Sequence, residues 1–254
     1  MRVLWVSDSN PFVPTGGAGA TDRAHVAYAL RHGHDVEFFT ADHGGGEVRK
    51  NTDVAVISNY RQFQPQFFRD LYERGIPLIW FIHDYTCRWI LHYPLLPKCR
   101  DCYLRERWLE VFQASAGFIW LSPLHRRSWL YSWPEVKTKP YALAPSPVDP
   151  DKFYPNGNGR RGVLVVNGLL PFKGQENILR WAEKHQDMPI TYVGDPVEGL
   201  PPNIIAVGSK PNWDMNALYN QHEALLHLPT TPQPFERICA EALLAGCKVI
   251  GNRN

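Results

Sequence analysis

The sequence predicts an α/β protein built from two consecutive Rossmann-like domains, each with a parallel sheet covered by helices. Apolar, β-branched runs recur along the chain with amphipathic segments between them, which is the pattern of βαβ units. A segment rich in Pro, Gly and Asn divides these runs into two series. Hydrophobic residues make up 44% of the chain and charged residues 20%, as in a globular protein with a real core.

The first series predicts six strands in the N-terminal half. They are expected at 3–7, 36–40, 54–58, 78–82, 117–121 and 141–144. A Gly-rich turn at 15–19 precedes a helix that ends at Gly33, and a second helix is expected at about 64–74. The expected apolar face of the first helix comprises Ala24, Ala27, Tyr28 and Leu30.

The segment 145–162 has no apolar periodicity and is predicted to link two domains, 1–150 and 151–254. In the second series, strands are expected at 163–166, 190–193, 204–207, 224–228 and 248–250, and helices at about 175–184, 214–221 and 237–245. In such sheets ligands bind at the carboxyl ends of the strands, so a crevice between the two domains is the expected site.

Charge and composition exclude several classes of function. The formal net charge is +2 and the sequence pI is about 8.3, which disfavours nucleic acid as the main partner. No stretch approaches 18 consecutive apolar residues, and the count of five cysteines is odd. We therefore expect a cytoplasmic protein in a reducing compartment, with at most peripheral membrane contact.

A loop at 168–177, GLLPFKGQEN, lies between a predicted strand and a predicted helix. Backbone N–H groups, the helix dipole and the Lys173 ammonium would converge there, and together they can bind a diphosphate. Taken alone, the loop fits better an ordinary strand-to-helix turn that carries a solvated lysine.

A second informative stretch, 229–251, places Gln233 eight positions before Glu241. If a helix begins near Phe235, its N-terminus faces the ligand and Glu241 lies about two turns along, within reach of ribose hydroxyls. The alternative is a capped helix that packs Ile238, Ala242 and Leu243 against the sheet.

Together these two motifs resemble the retaining GT-B glycosyltransferases of the family 4-like, group 1 type. The segment 167–174, NGLLPFKG, resembles the pattern Gly-Arg-Leu-x-Pro-x-Lys-Gly. The segment 233–246 resembles a Glu-x-Phe-Gly run that ends in Glu-Ala-x-x-x-Gly, and PSPVDPDKFYP resembles the entry into the second domain. In the N-terminal half, SNPFVPTGGAG resembles a glycine loop and IHDY a His-Asp pair.

The resemblance implies glycosyl transfer from a nucleoside diphosphate sugar to an acceptor hydroxyl, with retention and without a catalytic metal. The acceptor would be a saccharide or a glycolipid. The N-terminal domain would lie on the acceptor side, and the C-terminal domain would bind the donor. The implied catalytic residues are His83, Lys173 and Gln233, and the implied donor-binding residues are Gly16, Gly17, Gly168, Lys173, Gly174, Phe235, Arg237 and Glu241.

Three departures from the pattern bear on activity. Gly168 stands where the pattern has an arginine, which would bind the phosphates together with Lys173. Arg237 could supply that cation instead. The pattern has two acids, and Gln233 stands in place of the first while Glu241 is the second. The Gln233 amide keeps a hydrogen-bond acceptor but loses the negative charge. The sequence stops at Asn254, just after a predicted strand, which implies a short or C-terminally truncated member.

A cysteine-bearing segment follows the His-Asp pair. Cys99 and Cys102 have the knuckle spacing of a zinc site, and Cys87 or His92 could complete the coordination. A structural zinc and ordinary reduced cysteines are both consistent with this segment.

Three other functions fit the same fold. The chain could be a catalytically silent module that binds a nucleotide sugar, a viral-type enzyme that glycosylates nucleic acid bases, or a nucleotide-sugar epimerase. Donor hydrolysis separates the first from an active transferase. The second requires a basic face that the sequence does not show.

Overall fold

The structure, a computed structural model, describes residues 1–254 except 9, 11, 13–16, 42–47, 61, 85–104, 158, 168, 231–232 and 253–254, and except the side chains at 107 and 172. The chain divides into two compact units, Met1–Pro147 and Val148–Asn254. Each unit contains one parallel sheet with helices packed against it. The protein is therefore α/β, as the sequence predicts.

The first unit has a six-stranded sheet in the order β2-β1-β3-β4-β5-β6. Its strands are β1 (Arg2–Ser7), β2 (Asp35–Thr40), β3 (Val54–Ile57), β4 (Leu78–Ile82), β5 (Gly117–Trp120) and β6 (Tyr141–Leu143). Its helices are α1 (Gly17–Arg31), α2 (Pro65–Glu73), α3 (Arg105–Ala114) and α4 (Pro123–Ser132). The strand order reverses between β1 and β3, so a ligand-binding crevice is expected at the carboxyl ends of those two strands.

Aromatic side chains dominate the core of the first unit. The buried residues Trp80, Trp108, Phe112, Trp120 and Trp129 join the sheet to α3 and α4. The Trp80 and Phe112 rings lie edge to face with centroids 4.8 Å apart, a favoured geometry for aromatic pairs. Much of the aromatic content of the chain is thus explained by packing.

The predicted apolar face of α1 is wrong. Tyr28 and Leu30 are 57% and 47% exposed, whereas Thr21, Asp22 and Val26 are buried. Two polar side chains lie on the buried face, and both are hydrogen-bonded there. Thr21 donates to Ser146, and Asp22 pairs with Ser58 and His83 near the ends of β3 and β4. Apolar periodicity therefore gave no guide to the orientation of this helix.

The second unit has a five-stranded sheet in the order β11-β10-β7-β8-β9. Its strands are β7 (Val163–Val166), β8 (Ile190–Val193), β9 (Ile204–Ala206), β10 (Ala224–His227) and β11 (Lys248–Gly251). Its helices are α5 (Gln175–Lys184), α6 (Met215–Gln221) and α7 (Arg237–Leu244). The order is that of a Rossmann sheet, and it reverses between β7 and β10.

Two apolar clusters form the core of the second unit. One contains Met215, Tyr219 and Ala242, and the other contains Ile178 and Ala182. Helices α6 and α7 thus contribute to one cluster and α5 to the other, as expected for a doubly wound sheet.

The segment that the sequence predicts as a linker packs on the second unit over most of its length. Phe153 is 1% exposed and lies in the same cluster as Tyr219. The Arg160 guanidinium donates to the carbonyl oxygens of Tyr219 and Ala245 at 2.7 and 2.5 Å. These bonds join the segment to α6 and to the end of α7.

Candidate functional site

Two loops of the second unit meet at the carboxyl ends of adjacent strands. One follows β7 and contains a 3-10 turn, Pro171–Lys173, and the other follows β10 and leads into α7. Because β7 and β10 are the strands at which the sheet order reverses, both loops line the position where such sheets bind ligands. The loop that carries Lys173 and the stretch 229–251 are thus neighbours in space.

Lys173, His227, Glu236 and Cys239 form a cluster at this position, which we call the lysine cluster. The Lys173 Nζ atom lies 3.1 Å from Oε1 of Glu236, and His227 Nε2 lies 3.8 Å from the same oxygen. Glu236 is the N-cap residue of α7, and its backbone is extended. The carboxylate and the ammonium therefore meet beside the helix N-terminus, which favours an anion.

The two remaining groups of the lysine cluster are uncharged near neutral pH. Burial lowers the pKa of His227; the Glu236 carboxylate opposes this shift and Lys173 adds to it. Burial, with the Glu236 carboxylate, raises the pKa of the Cys239 thiol to about 12, although Lys173 opposes the shift. Cys239 is therefore not a thiolate nucleophile at neutral pH.

Gly174 follows Lys173 at a point where a side chain does not fit. Its φ is +96°, in the left-handed region, and a Cβ atom would lie 1.8 Å from the carbonyl oxygen of Leu228. The same carbonyl accepts a hydrogen bond from the Asn177 side chain at 3.1 Å. Glycine thus allows the loop after β7 to approach the end of β10.

Glu241 is almost completely buried in α7, at 2% exposure. Its Oε1 accepts from Nε of Arg237 at 2.7 Å, and its Oε2 accepts from the Tyr219 hydroxyl at 3.1 Å. Burial and the adjacent carboxylate raise the pKa of Tyr219 well above its usual range. The helix begins at Arg237, the predicted bound, which is two residues beyond the start near Phe235 that the ribose argument supposed. Gln233 and Phe235 are half-buried just before it.

In the first unit, polar side chains meet at the carboxyl ends of β3 and β4. The Asp22 Oδ1 atom of α1 lies 2.8 Å from His83 Nε2, and Asp22 Oδ2 accepts from the Ser58 hydroxyl at 2.5 Å. All three side chains are buried. An ionised Asp22 only accepts, so His83 donates through Nε2. The other nitrogen, Nδ1, is buried without a hydrogen-bond partner in the described part of the chain.

Two further histidines surround this group in uncharged form. Burial lowers the pKa of His25; His83 adds to the shift and Asp22 opposes it. Burial lowers the pKa of His125 to about 4, and its Nε2 lies 3.1 Å from the backbone oxygen of Asp84. His83 is thus held among neutral rings, with Asp22 as its charged neighbour.

Several residues named by the sequence lie outside the described part of the chain. They are Gly16, Gly168, Cys87, His92, Cys99 and Cys102. Gly17 is described and is the first residue of α1. The described residues contain no group of three or more His, Cys, Asp or Glu side chains that could hold a metal ion. Nor does any helix in the described ranges have both the length and the apolar character to cross a membrane.

Sequence reasoning missed Asp22, His227 and Glu236 as members of these sites. Glu236 carried a usable signal, because it occupies the glycine position of the run that resembles Glu-x-Phe-Gly. Asp22 carried a weaker one, as the one acid in α1. His227 ends a buried strand and is not distinguishable there from a core histidine.

The chain is similar to solved structures of GT-B glycosyltransferases. Anabaena HepE, solved in complex with UDP, is 17% identical with a TM-score of 0.67, over 99% of this chain and 80% of that chain. Sucrose-phosphate synthase of Thermosynechococcus elongatus is 14% identical with a TM-score of 0.74, over 99% and 81%. The catalytic domain of Arabidopsis thaliana starch synthase IV, bound to ADP and acarbose, is 11% identical with a TM-score of 0.68, over 98% and 82%.

The sequence matches no family model and no curated protein. At these identities the likeness to solved structures establishes the fold alone.

Proposed function

We propose that this chain, which has the GT-B fold, is a glycosyltransferase that moves a sugar from a nucleoside diphosphate sugar to an acceptor hydroxyl. One observation carries the proposal. Lys173 and the N-terminus of α7 come together at the strand-order reversal of the second unit. An ammonium and a helix N-terminus at that position fit a diphosphate.

In the proposed reaction the bond between the anomeric carbon and the diphosphate breaks, and the acceptor oxygen bonds to that carbon with retention while its proton passes to the departing diphosphate. Lys173 and the N-terminus of α7 offset the charge that develops on the departing diphosphate, so catalysis needs no metal. Glu241 accepts from the ribose hydroxyls, and Gln233 lies near the donor sugar. Gly168, Gly174, Phe235 and Arg237 complete the donor site.

The first unit is proposed to supply the acceptor side. His83 lies near the sugar there, and Gly16 and Gly17 offer N–H groups to the distal phosphate. Support for the role of His83 comes from the buried hydrogen bond of its Nε2 to Asp22, which fixes the ring and leaves Nδ1 available. Asp22 acts through His83 and is therefore a positioning residue.

The molecules bound to the similar structures support the classes of donor and acceptor. HepE has been solved with UDP-glucose, and starch synthase IV with ADP and acarbose. We infer a nucleotide-sugar donor and a saccharide acceptor for this chain. A cytoplasmic location stays a prediction, as does a structural zinc at Cys99 and Cys102.

Replacing Lys173 with alanine is expected to weaken nucleoside diphosphate binding about 10- to 100-fold, because a charge-assisted hydrogen bond is lost. Nucleoside binding should change little. A thermal-shift panel of UDP, GDP, ADP, TDP and CMP first identifies the base, since a ligand at 100 times its Kd adds about 2.7 kcal/mol of stability. Calorimetry then compares the nucleoside diphosphate with its nucleoside.

The matched control for Lys173→Ala is Lys184→Ala, which removes an exposed lysine at the end of α5. It should bind both ligands as the wild type does. Equal losses of nucleoside and nucleoside diphosphate affinity in Lys173→Ala would exclude a phosphate role for Lys173.

Asp22→Asn is expected to lower donor turnover about tenfold or more while nucleoside diphosphate affinity stays unchanged. The variant keeps the shape of the side chain but removes the charge that orients His83. Ser58→Ala is the matched control, because it removes the other contact of Asp22 and leaves the pair with His83 in place. A loss of thermal stability in Asp22→Asn with unchanged turnover would assign Asp22 a purely structural role.

A second candidate is a catalytically silent module that binds a nucleotide sugar. One observation favours it: the charge of Lys173 is already matched by Glu236, at 3.1 Å. Binding of a nucleoside diphosphate without donor hydrolysis would identify this case.

A further inference from the structure

The lysine cluster contains an anion of its own at the proposed phosphate position. Glu236 Oε1 lies within 3.1 Å of Lys173 Nζ, and the two side chains are 16% and 28% exposed. His227, at 10% exposure, approaches the same oxygen at 3.8 Å. The carboxylate is therefore held between a cation and an imidazole in a partly desolvated position.

The formal charges of the lysine cluster cancel. Lys173 is positive and Glu236 is negative. His227 and Cys239 are neutral near neutral pH, because burial lowers the pKa of the imidazole and raises the pKa of the thiol. The next cation along the chain, Arg237, is itself paired with Glu241 at 2.7 Å. A diphosphate that enters therefore meets no excess of positive side-chain charge in this set of residues.

Glu236 also occupies the N-cap position of α7, where the helix dipole stabilises negative charge. The carboxylate thus interacts with both of the features that are proposed to bind the diphosphate. In the run that this segment resembles, the same position is glycine and carries no side chain. The competing carboxylate therefore distinguishes this chain from the pattern.

We propose that Glu236 is a specificity-determining residue that competes with the ligand's diphosphate for Lys173 and disfavours the free nucleoside diphosphate more than its sugar ester. This inference rests on the proposed function. The free nucleoside diphosphate carries one more negative charge at neutral pH than the sugar ester, since its terminal phosphate ionises a second time. Repulsion by the adjacent carboxylate is larger for the product than for the donor.

The consequence is a cycle of partner exchange at Lys173. When the donor binds, the ammonium leaves the Glu236 carboxylate and contacts the diphosphate. After sugar transfer, Glu236 returns to Lys173 as the more highly charged product leaves. Glu236 would then weaken product inhibition, because it lowers the affinity for the nucleoside diphosphate more than the affinity for the donor.

Glu236→Gln tests this, because it removes the charge and keeps the size of the side chain. The probes are UDP, GDP, ADP and TDP and their glucose esters, measured by calorimetry. For the base that binds, we expect the variant to bind the nucleoside diphosphate about tenfold more tightly and the glucose ester about threefold more tightly. Glu236→Gly, which removes the whole side chain, should show the same order.

Glu183→Gln is the matched control, since it makes the same change of net charge at an exposed position of α5. It should alter neither affinity. If the wild type binds a nucleoside diphosphate and both Glu236 variants bind it no more tightly, the competition is overturned and the proposed function stands. If the variants gain equal affinity for the nucleoside diphosphate and for its glucose ester, the proposed selectivity is overturned. Absence of binding in all the proteins overturns the proposed function as well.

Discussion

Gly174→Ala is expected to destabilise the second unit by about 3–5 kcal/mol, a large effect for a single added methyl group. Two causes act together. A non-glycine residue at a φ of +96° is strained, which costs on the order of 1–3 kcal/mol. In addition, the new Cβ atom would lie 1.8 Å from the carbonyl oxygen of Leu228, so the backbone at the end of β10 has to move.

Gly199→Ala separates the two causes. Gly199 lies in the same unit at a φ of +69°, but a Cβ atom there meets nothing within 4 Å. Chemical denaturation of both variants should show a loss of about 1 kcal/mol for Gly199→Ala and a several-fold larger loss for Gly174→Ala. Equal losses would mean that the close approach to Leu228 does not constrain the loop.

The second large effect is expected for Glu241→Ala, which should reduce the free energy of unfolding by about 3–5 kcal/mol. Glu241 is 2% exposed and accepts from both Arg237 and Tyr219. Removing the carboxylate takes a buried acceptor from a cation and a hydroxyl at once. Urea unfolding followed by circular dichroism measures the loss.

Two variants show how the effect of Glu241→Ala divides. Tyr219→Phe removes one hydroxyl and leaves the pair with Arg237, so it should cost about 1–2 kcal/mol. Glu183→Ala removes an exposed carboxylate and should change stability by less than about 0.5 kcal/mol. A Glu241→Ala protein as stable as the Glu183→Ala control would contradict the buried network.

The stability effect also sharpens the proposed ribose role of Glu241. Because truncation disturbs the fold, nucleotide affinity is better measured on Glu241→Gln, which retains the shape of the side chain. If Glu241 binds the ribose, this variant should lose affinity for the nucleoside and the nucleoside diphosphate alike. Such a pattern differs from that of Lys173→Ala, in which only the diphosphate is affected.

The strands could be predicted from the sequence because a parallel strand is covered on both faces. Strands β4, β7 and β8 have the predicted bounds, and each of the other strands differs by one residue at one end. Continuous apolar runs between turn residues are a strong local signal, and α5 was found for a related reason, a clear apolar stripe between Gly174 and a polar end. Helix α1 has no such stripe because its buried face carries Thr21 and Asp22.

The site could be predicted only as far as its local motifs reached. Lys173 and α7 were expected near a phosphate because each follows a strand. The pairing of Lys173 with Glu236, across 63 positions, depends on the adjacency of β7 and β10, which local patterns do not specify. The same holds for Asp22 and His83, which are 61 positions apart and meet through the order of the first sheet.

Donor hydrolysis in the absence of acceptor is the most direct test of the proposed activity. The wild type and Lys173→Ala are incubated with UDP-, GDP-, ADP- and TDP-glucose, and the release of nucleoside diphosphate is followed with time. We expect the wild type to release nucleoside diphosphate from one of the four donors, and Lys173→Ala to release it at least about 100-fold more slowly, because charge on the leaving group is no longer offset. No release by the wild type, or equal rates in the two proteins, would contradict glycosyl transfer with Lys173 at the diphosphate.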